Sequence, residues 1–165
     1  AEKFYDLDED TLRKIEDDSI DLTNKAVELG IVPKEERSTT DKHSSTYNAI
    51  SHLMMASGIS EKTGALAALQ GREIAQMLFS TSQDQALDIP NNRIGIEIGK
   101  MFPSDDPNRE VKINKEILNR IEEGRNRLRD GKDLIPGIHP ILNVGEIPKF
   151  RLKESNIKLA SVPYP

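Results

Sequence analysis

The feature that most constrains this chain is a three-and-four spacing of apolar residues that begins almost at its start. Leu12, Ile15, Leu22, Ala26 and Leu29 share one stripe of a helix over about 11–29, and Ser19 fills a slot in the same row. A single stripe of this kind is buried only by other elements, so the spacing predicts an amphipathic helix packed in a bundle. Asp10 stands where an N-cap belongs, Gly30 where a C-terminal stop belongs, and Pro33 disfavours continuation. The polar run 33–45 reads as a loop.

The pattern recurs along the chain. Ser45 or Thr46 can start a second helix that Gly58 ends, and Ser60 can cap a third that reaches about Phe79. This third segment is apolar on most sides and rich in Ala and Gly, which suits the centre of a bundle. The stretch "LDIPNNRIGIEIGK", residues 87–100, predicts a fourth helix from about Pro90 to Phe102, because proline is favoured in a first helical turn. Ile94, Ile98 and Met101 would share its buried face, although Ile94, Ile96 and Ile98 also alternate with the period of a strand over 93–99. A fifth helix over about 114–130 carries the stripe Ile117, Leu118, Ile121 and Leu128, and Asp130-Gly131 stops it. Beyond it Pro136, Pro140, Pro148, Pro163 and Pro165 punctuate short β-branched pieces. The expected architecture is all-α: a single-domain helical bundle of about five helices over 1–165, with its helical body at about 10–131 and an extended or irregular segment over 132–165.

A chain of 165 residues is most simply one domain, and at that size it can bury a core without disulfides or a metal. Aromatics are only 4% and Trp is absent, so that core must rest on Leu, Ile, Ala, Met and Val. No apolar run approaches the roughly 20 residues of a membrane-spanning helix. The net charge of −5 sits in residues 1–20, which hold eight acids and three bases; the remaining 20 acids and 20 bases cancel. An acidic end on a neutral body lacks the basic footprint of a nucleic-acid binder, and nucleic acid is not an expected partner. Cysteine is absent, which removes thiol nucleophiles and thiolate metal sites and leaves the redox compartment open. The chain opens on Ala1 without an apolar signal-peptide region, as a processed exported protein or an excised domain would.

Candidate chemistry centres on three places. His52 lies one helical turn after Asn48, so an amide can orient the imidazole as a general base; the plainer role is a satisfied buried histidine. Glu73 falls in line with Leu66, Leu69 and Met77 on an apolar stripe, where a carboxyl is either paired, with Arg72 nearby, or tuned as a general acid. Asp88, Asn91 and Asn92 exceed what capping one helix needs and could line a substrate beside a helix start. His43, in a polar loop, and His139, between prolines, are weaker candidates. Gly95 and Gly99 are spaced for close helix packing, and Asp17-Asp18 and Glu122-Glu123 fall on exposed faces. No nucleophile elbow, phosphate loop, dinucleotide fingerprint or zinc-protease motif occurs.

Taken together, "NAISH" at 48–52, a Glu in a long helix and "DIPNNRIG" at 88–95 resemble a bacterial family of helical domains found in wall-associated and polymorphic-toxin-type proteins. The likeness spans residues 48–95 and selects Asn48, His52, Glu73, Asp88, Asn91, Asn92 and Gly95. It departs from the family at Arg72 and Pro90, where histidines are common, and at Leu53-Met54, where an aromatic follows the first histidine. Those departures argue against a histidine-built metal site, so neither a metal nor another cofactor is expected.

Two readings follow. In the first, the chain is a secreted, toxin-type or envelope-associated hydrolase, with His52, Glu73 and Asp88 as catalytic groups and Asn48, Arg72, Asn91 and Asn92 holding an envelope substrate. The second is a non-catalytic interaction module, in which the polar residues form a buried network and the acidic N-terminal helix meets a protein partner. The resemblance implies export; without it the chain would be expected in the cytoplasm.

Overall fold

The computed structural model describes residues 8–59 and 83–146. These residues form four helices: α1 (Glu9–Glu28), α2 (Ser45–Ala56), α3 (Gln83–Met101) and α4 (Arg109–Arg129). Two single 3-10 turns, Lys34–Glu36 and Val144–Glu146, follow α1 and end the described chain. No strand occurs among the described residues, so the class is all-α and the stretch 93–99 is helical. The expected third helix over 61–79 lies outside the described residues.

Three of the four helices stop in the same way. Gly30, Gly58 and Gly131 follow α1, α2 and α4 with φ of 73°, 68° and 75°, a left-handed region that residues with a Cβ rarely adopt. Ile31 then donates to the Ala26 carbonyl and Gly30 to that of Val27. The pairs Ile59–Met54 and Gly58–Met55, and Lys132–Arg127 and Gly131–Leu128, repeat the motif. Starts deviate more from expectation. Asp8, not Asp10, caps α1 by accepting from the Thr11 amide at 2.7 Å, and Ser44 caps α2 through Tyr47. Helix α4 begins at Arg109, five residues earlier than its apolar stripe suggested.

The largest correction concerns Pro90. It is inside α3, which begins at Gln83, and it is not a helix-start device. Proline has no N–H for the carbonyl four residues back, which costs roughly 3 kcal/mol in a helix interior. Tertiary anchors on both sides hold the helix through it: Ile89 is buried before it, and Asn91, Ile94 and Ile98 after it. Met101, expected on the same buried face, is 49% exposed.

Helices α2 and α3 run in the same direction. His52 faces Asp88 and Asn92, Leu53 and Ala56 face Gly95, and Ser57 faces Gly99. Residues 60–82 therefore join the C-terminal end of α2 to the N-terminal end of α3. The approach is close enough that only glycine fits. A Cβ on Gly95 would stand 2.7 Å from the Ala56 Cβ and 2.8 Å from the Leu53 carbonyl oxygen, and one on Gly99 would overlap the Ser57 carbonyl. Around this contact the core collects Ile15, Leu22 and Ala26 from α1, Ile50, Leu53 and Met54 from α2, Ile94 and Ile98 from α3, and Ile113, Ile117 and Ile121 from α4. Ser19, set in the apolar stripe of α1, is fully buried and donates to the Met54 sulfur at 3.4 Å.

A parallel pair puts two negative helix-dipole ends side by side. Arg109, the first residue of α4, answers both. Its guanidinium donates to Ser57 (3.0 Å) and Gly58 (2.5 Å) at the end of α2, and to Gly99 (3.1 Å) and Phe102 (3.1 Å) at the end of α3. Helix α3 has no glycine stop, and this arginine does that work.

At the opposite end of α2, Glu36 accepts from the Ser45 hydroxyl (2.6 Å), the Thr46 hydroxyl (2.6 Å) and the Thr46 amide (3.1 Å). Desolvation raises its carboxyl, but these hydrogen bonds and the nearby Arg125 charge outweigh it, and the net pKa is lowered from its ordinary value.

Two outcomes test this account. Gly99→Ala gains about 1 kcal/mol of helix propensity but forces a methyl onto a backbone carbonyl that cannot rotate away. Thermal melting should show a net loss of about 1–3 kcal/mol, while the exposed Lys100→Ala stays near zero. Because the folded Glu36 carboxyl titrates below its unfolded value of 4.5, its stabilisation is complete above that pH and fades as pH falls through the lowered folded value. Glu36→Gln should therefore flatten the acid limb of the unfolding free energy below about pH 4.5, with little change in its slope at neutral pH.

Candidate functional site

The described sequence-selected polar residues do not all go to one place. Asp88 and Asn92 are one turn apart on α3, and the His52 ring of α2 reaches both. Its Nδ1 lies 3.2 Å from Asn92 Oδ1 and its Nε2 lies 3.4 Å from Asp88 Oδ1. Asp88 belongs to this face only because α3 extends through Pro90; a helix beginning at Pro90 would have left it in a loop.

The chemistry of the triplet follows from its atoms. An amide oxygen can only accept, so Nδ1 carries the hydrogen it donates to Asn92. Nε2 is then the nitrogen whose proton can be taken or given, and it faces a carboxylate. The His52 side chain is 19% exposed and that of Asp88 33%, while Asn92 is buried. Proton transfer can therefore communicate with solvent while the amide holds the ring in one tautomer. His52 and Asp88 each make a further interaction beyond these.

Asn91, expected to hold a substrate, directs its side-chain amide to the backbone. It is 1% exposed and points away from its neighbour's partner, into the chain that follows α4. Its amide nitrogen donates to the Ile141 carbonyl at 2.8 Å, and its oxygen accepts from the Ile141 amide at 2.9 Å. This two-bond clamp fixes the segment after α4 to α3. Asn48 is exposed and is neither of the two side chains that the His52 ring nitrogens face. Glu73 and Arg72 lie outside the described residues.

The other two histidines have structural surroundings. His43 stacks on Tyr47 with ring centroids 3.9 Å apart, and its Nε2 is 3.4 Å from Glu16. Burial, and then the charges of Glu16 and Asp17, push the Tyr47 phenol up to about 12. His139 is 1% exposed; its Nδ1 accepts from the Ile135 amide at 2.9 Å and its Nε2 is 2.9 Å from Glu123 Oε1. Gly124 makes room for it, since a Cβ there would stand 3.2 Å from the His139 Cβ. Spacing along the chain gave no sign of this role, because the partners are a tail residue and a helix residue brought together only by the fold.

Reading along the chain also missed the polar group that ends the described structure. Arg125 forks onto Glu146 with two 2.6 Å bonds, and Glu146 also accepts from the Leu142 amide and the Asn143 side chain. Both partners of the ion pair are largely buried. Among the described residues no group of three His, Asp or Glu side chains is disposed to hold a metal ion. No helix among them is long and apolar enough to cross a membrane. No family model, curated protein or solved structure matches the chain.

The two adjacent asparagines should separate experimentally. Asn91→Ala leaves the Ile141 N–H and C=O without partners, a loss of about 2 kcal/mol or more. Hydrogen exchange at the Ile141 amide should accelerate roughly 30-fold, whereas Asn92→Ala should leave that amide protected.

Proposed function

We propose that His52 and Asp88 form the acid–base pair of a hydrolytic site, with Asn92 as the residue that positions the imidazole. The observation that supports this reading is the bracketing of one partly exposed histidine by a carboxylate and an amide oxygen, 3.4 and 3.2 Å from its two nitrogens. In such a site Nε2 takes a proton from water as the nucleophile forms and returns it to the leaving group, and Asp88 stabilises the imidazolium between the two steps. The likeness of "NAISH" and "DIPNNRIG" to toxin-type and wall-associated bacterial domains suggests an exported protein whose substrate is envelope material, either peptidoglycan or lipid. Asn91 leaves the set of substrate-binding residues, because its amide is spent on Ile141.

A second reading has its own support. Both ring nitrogens of His52 already face side chains, and Asn91 and Asn92 are buried. That is how a non-catalytic interaction module would use these residues, as a polar network that fixes the register of α2 against α3.

The readings part on His52→Ala. Peptidoglycan sacculi and phospholipid vesicles are incubated with the protein, and released muropeptides or fatty acids are measured beside the melting temperature. The hydrolase reading expects turnover of one of them and its loss by a factor of about 10²–10⁴ in the variant, with the fold intact. Turnover that survives the substitution, or no turnover of either material together with an unfolded variant, overturns it in favour of the network.

A further inference from the structure

His139 is a buried titratable group that the proposed acid–base pair does not use. Its side chain is fully buried, and both of its ring nitrogens are bonded. A backbone N–H can only donate, so the Nδ1 that accepts from the Ile135 amide at 2.9 Å carries no hydrogen. Nε2 therefore carries it and donates to Glu123 Oε1 at 2.9 Å. Backbone atoms join the same two residues a second time, since the His139 amide donates to the Ile135 carbonyl at 3.1 Å. His139 thus closes the turn 135–139 twice, once with its ring and once with its amide. The turn contains Pro136, Gly137 with φ of 81°, and Ile138, and residues 135–138 are all exposed. Its base is anchored. Leu134, His139 and Pro140 are buried, and His139 packs over Gly124, where a Cβ would stand 3.0 Å from Leu134 and 3.2 Å from His139.

A second proton changes what this ring can do. An imidazolium has a donor at each nitrogen and an acceptor at neither. The bond to Glu123 survives that change. Nδ1–H then points at the Ile135 N–H, and the ring bond across the turn is lost. The charged groups around the turn do not replace the missing acceptor. From α4, besides Glu123, come Arg120 on the Ile138 carbonyl (3.5 Å) and Arg127 on the Asp133 carbonyl (2.8 Å), and both are donors. The segment itself supplies Lys132 and Asp133, which are exposed. From α3 comes Asn91, which does not titrate and whose oxygen is already on the Ile141 amide. We infer that residues 135–139 form an acid-sensitive turn, closed by the neutral His139 ring and released when Nδ1 takes a proton. Histidine is the side chain suited to such a device, because its charge changes between about pH 5 and 8. The release is local. The Asn91 clamp on Ile141 is built from groups that do not titrate, so the chain beyond Pro140 stays docked on α3.

Amide hydrogen exchange of the whole chain, corrected for its intrinsic pH dependence, reads the turn directly. Between about pH 8 and pH 5 the protection of the Ile135 amide should fall about tenfold, the worth of one ordinary hydrogen bond, while that of Ile141 holds. The ring nitrogen NMR signals of His139 should show the Nε2–H tautomer at the upper pH. They should also titrate with the same midpoint as the Ile135 amide. His139→Asn keeps a side-chain acceptor for that amide and has no proton to take, so it should leave Ile135 equally protected at both pH values. An Ile135 amide whose protection is the same at both pH values in the unsubstituted protein overturns the proposal. So does a fall at a pH where the His139 ring does not titrate, or one that persists in His139→Asn. The unsubstituted protein alone decides the matter where the asparagine variant does not fold.

Discussion

The contact on which the rest of this molecule depends is the close parallel approach of α2 and α3 at Gly95 and Gly99. It sets three things at once. It fixes the distance, because the α3 backbone lies where Cβ atoms would collide with Leu53, Ala56 and Ser57. It fixes the register, because Gly95 against Leu53 and Gly99 against Ser57 leave Asp88 and Asn92 level with His52. And it creates an electrostatic problem, since parallel helices bring like ends together. Arg109 resolves that problem with four hydrogen bonds to carbonyls from both helix ends. A lysine could supply the charge but not the planar fork that reaches four oxygens. The position of α4 is thereby tied to the same contact, because Arg109 is its first residue.

Much of this was legible in the residues, and the reason is that it was periodic. The stripe of α1 through Ala26, its serine slot and the three glycine stops depend only on neighbours within a turn or two and have their expected form, whereas Leu29, expected on the stripe, lies past the helix end and is exposed. The Gly95–Gly99 spacing announced close packing, though not against which helix. What could not be read were the partners supplied by distant chain. Asn91 and Asn92 look equivalent in sequence, yet they are about 100° apart on α3. One therefore meets Ile141 and the other His52. Arg109, Glu36, Glu146 and His139 carry little local signal, because their partners Ser57, Thr46, Arg125 and Glu123 lie 10 to 52 residues away. The start of α3 failed for a related reason. Pro90 is a good first-turn residue by local rules, and only buried neighbours on both sides keep it in a helix interior.

The segment after α4 shows how an irregular chain is held without regular structure. Loops are ordinarily at the surface because their backbone groups need partners. Here side chains take the place of a ladder. Asn91 offers Ile141 the donor and acceptor a neighbouring strand would offer, and His139 accepts from the Ile135 amide. Glu146 takes the Leu142 amide while it binds Arg125. Leu134, Ile141 and Leu142 are buried as a result. Four polar residues thus let about a dozen residues close one side of the core.

This division of labour bears on what the polar cluster of α3 is for. If the run Asp88 to Asn92 served only to fix the fold, its members would be expected to face one way and be buried together. Instead Asn91 is buried and committed to backbone, whereas Asp88 and His52 keep a fifth to a third of their side chains at the surface. Burial of an ion pair costs more than it returns unless its geometry is excellent, so a pair left partly wet at 3.4 Å contributes little to stability. A partly exposed carboxylate–imidazole contact of this kind is the arrangement on which the proposed acid–base reading rests. The same helix therefore carries Asn91, bonded to the Ile141 backbone, and, one position later, Asn92, bonded to the His52 ring.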